Sequence, residues 1–285
     1  MNRYKYMVRA YARLLEESKR FPLGAGEAPP PRDLVGKAGK ALFFAPHPDD
    51  ECISGGLALR LMREAGVKLV NVAVTQGSKR ERQADRWREL EKACKYLDFD
   101  LIATGPNGLE KINAKTREQD REHWENCVRI IAGLLSTHSP KVIFFPHALD
   151  WNSTHIGTHL LVMDALKELG PSFNCYLAET EFWGQMADPN LMVEISAEDL
   201  GDLVTATTFH IGEVQRNPYH LLLPAWMIDN VRRGTELVGG QGGTAPQFTF
   251  AALYRWRRWA DGTPQPMWEG GKHLSCTDNL SSLFG

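Results

Sequence analysis

Seven residues, Ala45-Pro46-His47-Pro48-Asp49-Asp50-Glu51, follow directly on the apolar run Ala41-Leu42-Phe43-Phe44. An apolar run stopped by two prolines predicts a buried strand that ends abruptly. Beyond it Ile53, Leu57 and Leu61 recur at near-helical spacing, so the His/Asp cluster falls at a strand-to-helix crossing. Ligands of open α/β sheets collect at that edge, outside the carboxyl ends of the strands. Crowding an imidazole and two carboxylates there is costly unless something binds them, and a divalent metal takes both ligand types. Pro48 fixes its own φ and biases His47 towards extended backbone, which can aim His47 and Asp50 at one point and Asp49 elsewhere. Helix capping accounts for one or two of the acids. It does not account for a histidine between two prolines.

The alternation continues down the chain. Predicted strands at 41–44, 68–74, 100–103, 141–145 and 175–179 are separated by predicted helices at 52–64, 79–97, 116–137 and 154–169, with a further helix at 197–214. This order implies a Rossmann-like three-layer α/β/α fold with a mostly parallel sheet. No Gly-x-Gly-x-x-Gly follows the first strand, so the dinucleotide phosphate loop is missing and the His/Asp cluster stands in its place. Ahead of this region, apolar residues at helical spacing over 4–21 predict an amphipathic helix, packed on the main domain or on a partner subunit. A proline-rich linker at 24–31 follows. The expected division is therefore an N-terminal helix and linker over 1–39 and a single domain over 40–285.

Lys and Arg number 33 against 35 Asp and Glu, and a net charge of −2 speaks against a nucleic-acid partner. Five scattered cysteines with no Cys-x-x-Cys pair suggest neither a disulfide framework nor a thiolate metal site. The first 20 residues are too charged for a signal-peptide core, and no stretch approaches about 18 uninterrupted apolar residues. The expectation is a cytoplasmic protein without a membrane partner, with self-association left open.

A second polar stretch points the same way. The strand at 141–145 runs into Pro146-His147, and Asn152, His155 and His159 follow. A βα chain of this order delivers that loop to the same sheet edge as His47. His155 and His159 lie i,i+4, so a helix presents both on one face, with Ser153 or Thr154 as its N-cap. A His/Asp/His set leaves a coordination position open, the pattern of a catalytic rather than a structural metal.

Pro46-His47-Pro48-Asp49-Asp50-Glu51 after a first strand resembles the signature of the LmbE/PIG-L family of zinc-dependent N-acetylglucosaminyl deacetylases. The resemblance implies that His47, Asp50 and His155 hold Zn2+ or another divalent transition metal, with His159 the rival for the third place. It also implies that Asp49 serves as general base and then as acid to the departing amine. The family's oxyanion-supporting histidine falls at Asn152 and its Asp/Asn at Thr154, so Asn152, His147 and His159 are the candidates for that role. Arg86, Glu89, Ala93 and Leu97 resemble the helix whose arginine reaches the substrate, and Asp98 stands where the family has glycine. Trp183 is either a sugar-stacking ring or ordinary packing. His210, with Glu213 nearby, matches only the histidine of a His-x-Ser-Gln substrate motif.

The implied activity is hydrolysis of an N-acetylated amino sugar or its conjugate, a small-molecule substrate. An amidase of a thiol-sugar conjugate and a non-catalytic sugar- or metal-binding module are the alternatives. Farther along, Gly239-Gly240-Gln241-Gly242-Gly243 is either a substrate-covering loop or a turn, and 248–254 predicts an edge strand. Trp256, Trp259 and Trp268 suggest a partner surface or a packed lid.

Overall fold

The computed structural model describes residues 2–29 and 38–284, so Pro30 and Pro31 of the linker lie outside the described residues. A leading helix α1 (Arg3–Ser18) precedes β1 (Lys40–Ala45), α2 (Asp50–Ile53), α3 (Gly56–Ala65), β2 (Lys68–Ala73), α4 (Arg80–Leu97) and β3 (Asp100–Ala103). Then come α5 (Ala114–Gln119), α6 (Arg121–His138), β4 (Val142–Pro146), α7 (Ser153–Leu169), β5 (Cys175–Thr180) and β6 (Leu191–Glu194). The remainder is α8 (Ala197–Thr208), α9 (Ile211–Arg216), α10 (Tyr219–Leu237), β7 (Ala251–Ala260), β8 (Thr263–Pro266), β9 (Lys272–Leu274) and a short 3-10 helix, Leu280–Leu283.

Among the described residues nine strands form one sheet in the order β3-β2-β1-β4-β5-β7-β6-β9, with β8 paired to β7. From β3 to β5 every pairing is parallel, whereas β7 runs antiparallel to both β5 and β6. Ala41 to Ala45 and all of β4 are buried, as expected for central strands covered on both faces. On one face Phe43, Leu57, Leu61, Leu90 and Leu203 build a core under α3, α4 and α8. On the other, Phe44, Phe145, Ile131 and Leu161 pack under α6 and α7. The mostly parallel three-layer architecture is that expected from the alternation of elements.

Several boundaries differ from the expectations, each for a local reason. The helix foreseen at 52–64 is broken at Gly55: a Cβ there would meet the Glu51 carbonyl oxygen at 2.1 Å. The one foreseen at 116–137 breaks at Asp120, whose side chain caps α6 by accepting from the His123 N–H. Asn152, rather than Ser153 or Thr154, caps α7, its Oδ1 accepting the Thr154 N–H at 2.8 Å. Asp98 ends α4 in the left-handed conformation (φ 60), which glycine adopts freely and Asp tolerates better than most residues. The strand foreseen at the sheet edge is instead β7, an interior strand with neighbours on both sides. Trp256 and Trp259 on it are fully buried in the core rather than forming a surface. The leading helix forms, but none of its residues is buried.

Candidate metal and hydrolytic site

β1 and β4 are parallel neighbours with Phe43 opposite Phe144, so the segments beyond Ala45 and Pro146 leave the sheet side by side. The end of β2 closes against them, Thr75 Oγ1 donating to the Pro46 carbonyl at 2.7 Å. His47 Nδ1 lies 3.5 Å and His155 Nε2 3.3 Å from the same Asp50 oxygen, Oδ2. One ligand atom from each of the three lies within 4.8 Å of the other two. The fold thus brings together residues more than a hundred positions apart in sequence.

The donor set fits a divalent cation. His155 Nε2 is buried without a hydrogen-bond partner, an arrangement unfavourable unless that nitrogen is given a ligand. Behind it, Asp150 Oδ2 lies 3.5 Å from His155 Nδ1, and Asp150 Oδ1 accepts the Asn152 N–H at 2.8 Å. A carboxylate on the far nitrogen fixes the tautomer and orientation of a ligating imidazole. Burial opposes charge on Asp50, yet His155 and His47 hold its carboxyl below the usual range. Burial also opposes charge on His155, but Asp50 and Asp150 push it up to about 10. Two buried carboxylates around one imidazole call for positive charge, which a cation among His47, Asp50 and His155 would supply. For His47, burial prevails and lowers the pKa, favouring the neutral ring that ligation needs.

Asp49 turns away from this cluster. Its φ of 124° lies where side chains are rarely found, the kind of backbone strain that clusters at functional sites. Its carboxylate accepts the Tyr219 hydroxyl, and burial followed by the Asp50 charge pushes its pKa up to about 7. Glu51 supports this conformation: Oε2 accepts the Asp49 N–H at 3.0 Å, and Oε1 accepts from His210 Nε2 at 2.9 Å and Cys52 Sγ at 3.1 Å. Glu51, Cys52 and His210 are fully buried. They also lie close enough together to hold a metal, but Glu51 Oε1 is already taken up by His210 Nε2 and Cys52 Sγ, and none of the three lines the cavity.

A cavity of ≈ 450 Å³ opens over the cluster and is lined by His47, Asp49, Arg86, Asn152, Trp183 and Arg216, among others. Arg86 donates to the Pro48 carbonyl at 3.0 Å and lies 4.0 Å from Asp49 and 3.8 Å from Glu213. The structure therefore gathers His47, Asp49, Arg86, Asn152 and Trp183 around one space, while Asp50 and His155, in reach of His47, line a small separate pocket with Pro46 and Pro146. His147 and His159 are placed differently. The His147 Nε2 bonds the Gly184 carbonyl at 2.8 Å, and the His159 Nδ1 donates to the Pro146 carbonyl at 3.0 Å. His210 sits behind Asp49, not in the cavity. The sequence places the acid Asp150 in the converging loop without giving it a partner, and it does not single out Tyr219. Asn217-Pro218, a helix-start signal just before Tyr219, was the clue to the second.

Residues 42–166 match the family described as PIG-L, GlcNAc-PI de-N-acetylase. No curated protein matches the sequence. Among solved structures, the chain is similar to the N,N'-diacetylchitobiose deacetylase of Pyrococcus horikoshii (TM-score 0.55, 17% identity, 89% of this chain and 92% of that one). It is also similar to teicoplanin deacetylase Orf2 in its zinc-inhibited form (TM-score 0.56, 12% identity, 80% of this chain and 100% of that one). A third similar structure is the 4-carboxy-2-hydroxymuconate hydratase GalB of Pseudomonas putida KT2440 (TM-score 0.55, 14% identity, 76% of this chain and 95% of that one). At these identities the likeness is one of fold.

Proposed function

Given that residues 42–166 form a PIG-L (LmbE-like) domain, we propose that the chain is a metal-dependent N-deacetylase. Its substrate would be an N-acetylated amino sugar or a conjugate of one, hydrolysed to amine and acetate. The observation that carries this reading is the shared Asp50 oxygen between His47 and His155, with Asp49 next in sequence and lining the cavity.

A divalent transition metal held by His47, Asp50 and His155 would supply Lewis acidity, acidifying water and polarising an acyl oxygen. The residues of the chain have separate tasks. Asp49, whose pKa of about 7 suits a proton carrier near neutrality, takes the proton of the attacking water and returns it to the departing nitrogen. Tyr219 fixes the Asp49 carboxylate, and Glu51 fixes its backbone. Asn152 already uses its Oδ1 in capping α7, which leaves its amide N–H groups to share the charge on the acyl oxygen. Arg86, held by the Pro48 carbonyl, offers its remaining donors to substrate hydroxyls. Trp183, 40% exposed on the cavity rim, offers a ring face to the sugar.

Two imidazoles and a carboxylate are a common donor set for zinc. The hydratase neighbour gives the rival reaction, addition of water to a carbon–carbon double bond on the same scaffold. Incubating the protein with a panel of N-acetylated amino sugars, and following amine and acetate together, tests the proposal. Equal release of the two, abolished by chelator and restored by added metal, supports it. Release that survives chelation and metal depletion overturns the mechanism, and no release from any acetamide favours the rival.

A further inference from the structure

The leading helix poses a physical problem of its own. Tyr4, Met7, Val8, Tyr11, Leu14 and Leu15 recur at helical spacing and form one continuous apolar stripe on α1. Among the described residues nothing buries that stripe: Tyr4 is 78% exposed, and Met7, Val8 and Leu14 are all more than half exposed. Asn2 caps the helix, its Oδ1 accepting the Tyr4 and Lys5 N–H groups at 3.0 and 3.2 Å. Even so, a 16-residue helix without tertiary packing is marginal in water. Something should cover it.

The charge on the helix narrows the choice of what covers it. Arg3, Lys5, Arg9 and Arg13 on the helix, with Lys19 and Arg20 directly after it, stand against only Glu16 and Glu17, in a chain whose overall charge is −2. The first three turns contain no acid. Three tyrosines, Tyr4, Tyr6 and Tyr11, add rings with an apolar body and a polar tip, a type enriched where hydrocarbon meets water. A polar face rich in Lys and Arg opposite an apolar stripe is the pattern of a helix lying in the plane of a membrane surface.

Placement supports the same partner. The chain leaving α1 is tied down at Gly24, whose N–H donates to Thr208 Oγ1 at 3.2 Å and where a Cβ would meet Ile211 Cδ1 at 3.4 Å. Ile211 begins α9, and Glu213 and Arg216 of the same helix line the cavity. Next to Asn152 on the cavity wall, Leu149 and Trp151 are each 79% exposed. The tether of a basic amphipathic helix and two exposed apolar side chains thus adjoin elements that line one cavity.

The geometry points to α1 as an interfacial docking element that holds the protein on an anionic lipid surface. This goes beyond the hydrolytic reading and does not depend on it. The test is sedimentation of the full-length protein with phosphatidylcholine vesicles, with and without phosphatidylglycerol, at low and high salt. The expected result is binding to the anionic vesicles, weakened about tenfold or more by high salt or by the Arg9→Glu/Arg13→Glu double variant. Met7→Glu/Leu14→Glu, at exposed positions, should abolish binding and leave the thermal unfolding of the main domain unchanged. Absence of vesicle binding by the parent protein, or binding undiminished in both double variants, overturns the inference. So does a dimer in light scattering that Met7→Glu/Leu14→Glu makes monomeric without any vesicle binding, since a second copy would then be the occupant.

Discussion

At the scale of single residues, the site separates charge-holding from proton-carrying. Asp50 and Asp49 are adjacent, yet Asp50 lies between two imidazoles while Asp49, strained and buried, bonds a tyrosine. Changing Asp49→Asn preserves shape and removes the proton carrier. We expect metal content unchanged and turnover lower by about 100-fold or more, measured by elemental analysis beside amine release. Asp150 makes a different claim, because it touches His155 on the nitrogen facing away from Asp50. Asp150→Asn should weaken metal affinity by about 10–100-fold in competition with a chromophoric chelator. An unaltered affinity would show that Asp150 does not set the imidazole. The two ends of this site were unequally legible in the sequence. His47 and Asp50 were plain because proline, histidine and acid are packed into one short segment. The role of Asp150 was hidden because its partner comes five residues later, and only the turn before α7 brings the pair into contact.

At the scale of elements, the position of His155 depends on how closely α7 is seated. Gly157 follows it by half a turn, and a Cβ there would meet the Ile112 carbonyl oxygen at 2.3 Å, a backbone atom with little room to yield. Gly157→Ala should therefore push α7 outward. We expect a loss of about 1–3 kcal/mol in urea unfolding, together with weaker metal retention. Elements with one strong period were readable: β1, β2, β4, β5, α4 and α7 fall close to where apolar spacing placed them. The C-terminal third was less so, for physical reasons. Its helix α10 contains Pro224 and mixes apolar with polar residues around its circumference, and no helix was expected there. β9 is only three residues long, too short for a period to register. β7 alternates large aromatics with arginines, which resembles an exposed edge until its two neighbours are seen.

For the whole molecule, acidity should loosen the fold through a histidine outside the proposed ligand set. Burial holds the pKa of His159 below 6.5, despite the nearby Glu179. Below that value the unfolded chain takes up a proton that the folded one resists. The stability present above about pH 6.5 is therefore lost as pH falls towards the folded pKa. His159→Gln should flatten that decline between about pH 7 and 5 in thermal unfolding, whatever it does to stability at neutrality. A steeper decline in the variant would contradict this assignment.

The antiparallel placement of β7 has a consequence for how the chain comes off the ribosome. Glu179 on β5 is fully buried and is neutralised by Arg255 and Arg257, both on β7. Until those late residues emerge, the growing polypeptide has an open flank at β5 and an acid with no counter-charge. Chains released by a stop codon ahead of residue 251 should accordingly pellet rather than remain dispersed, even though every proposed metal-holding side chain has already been made.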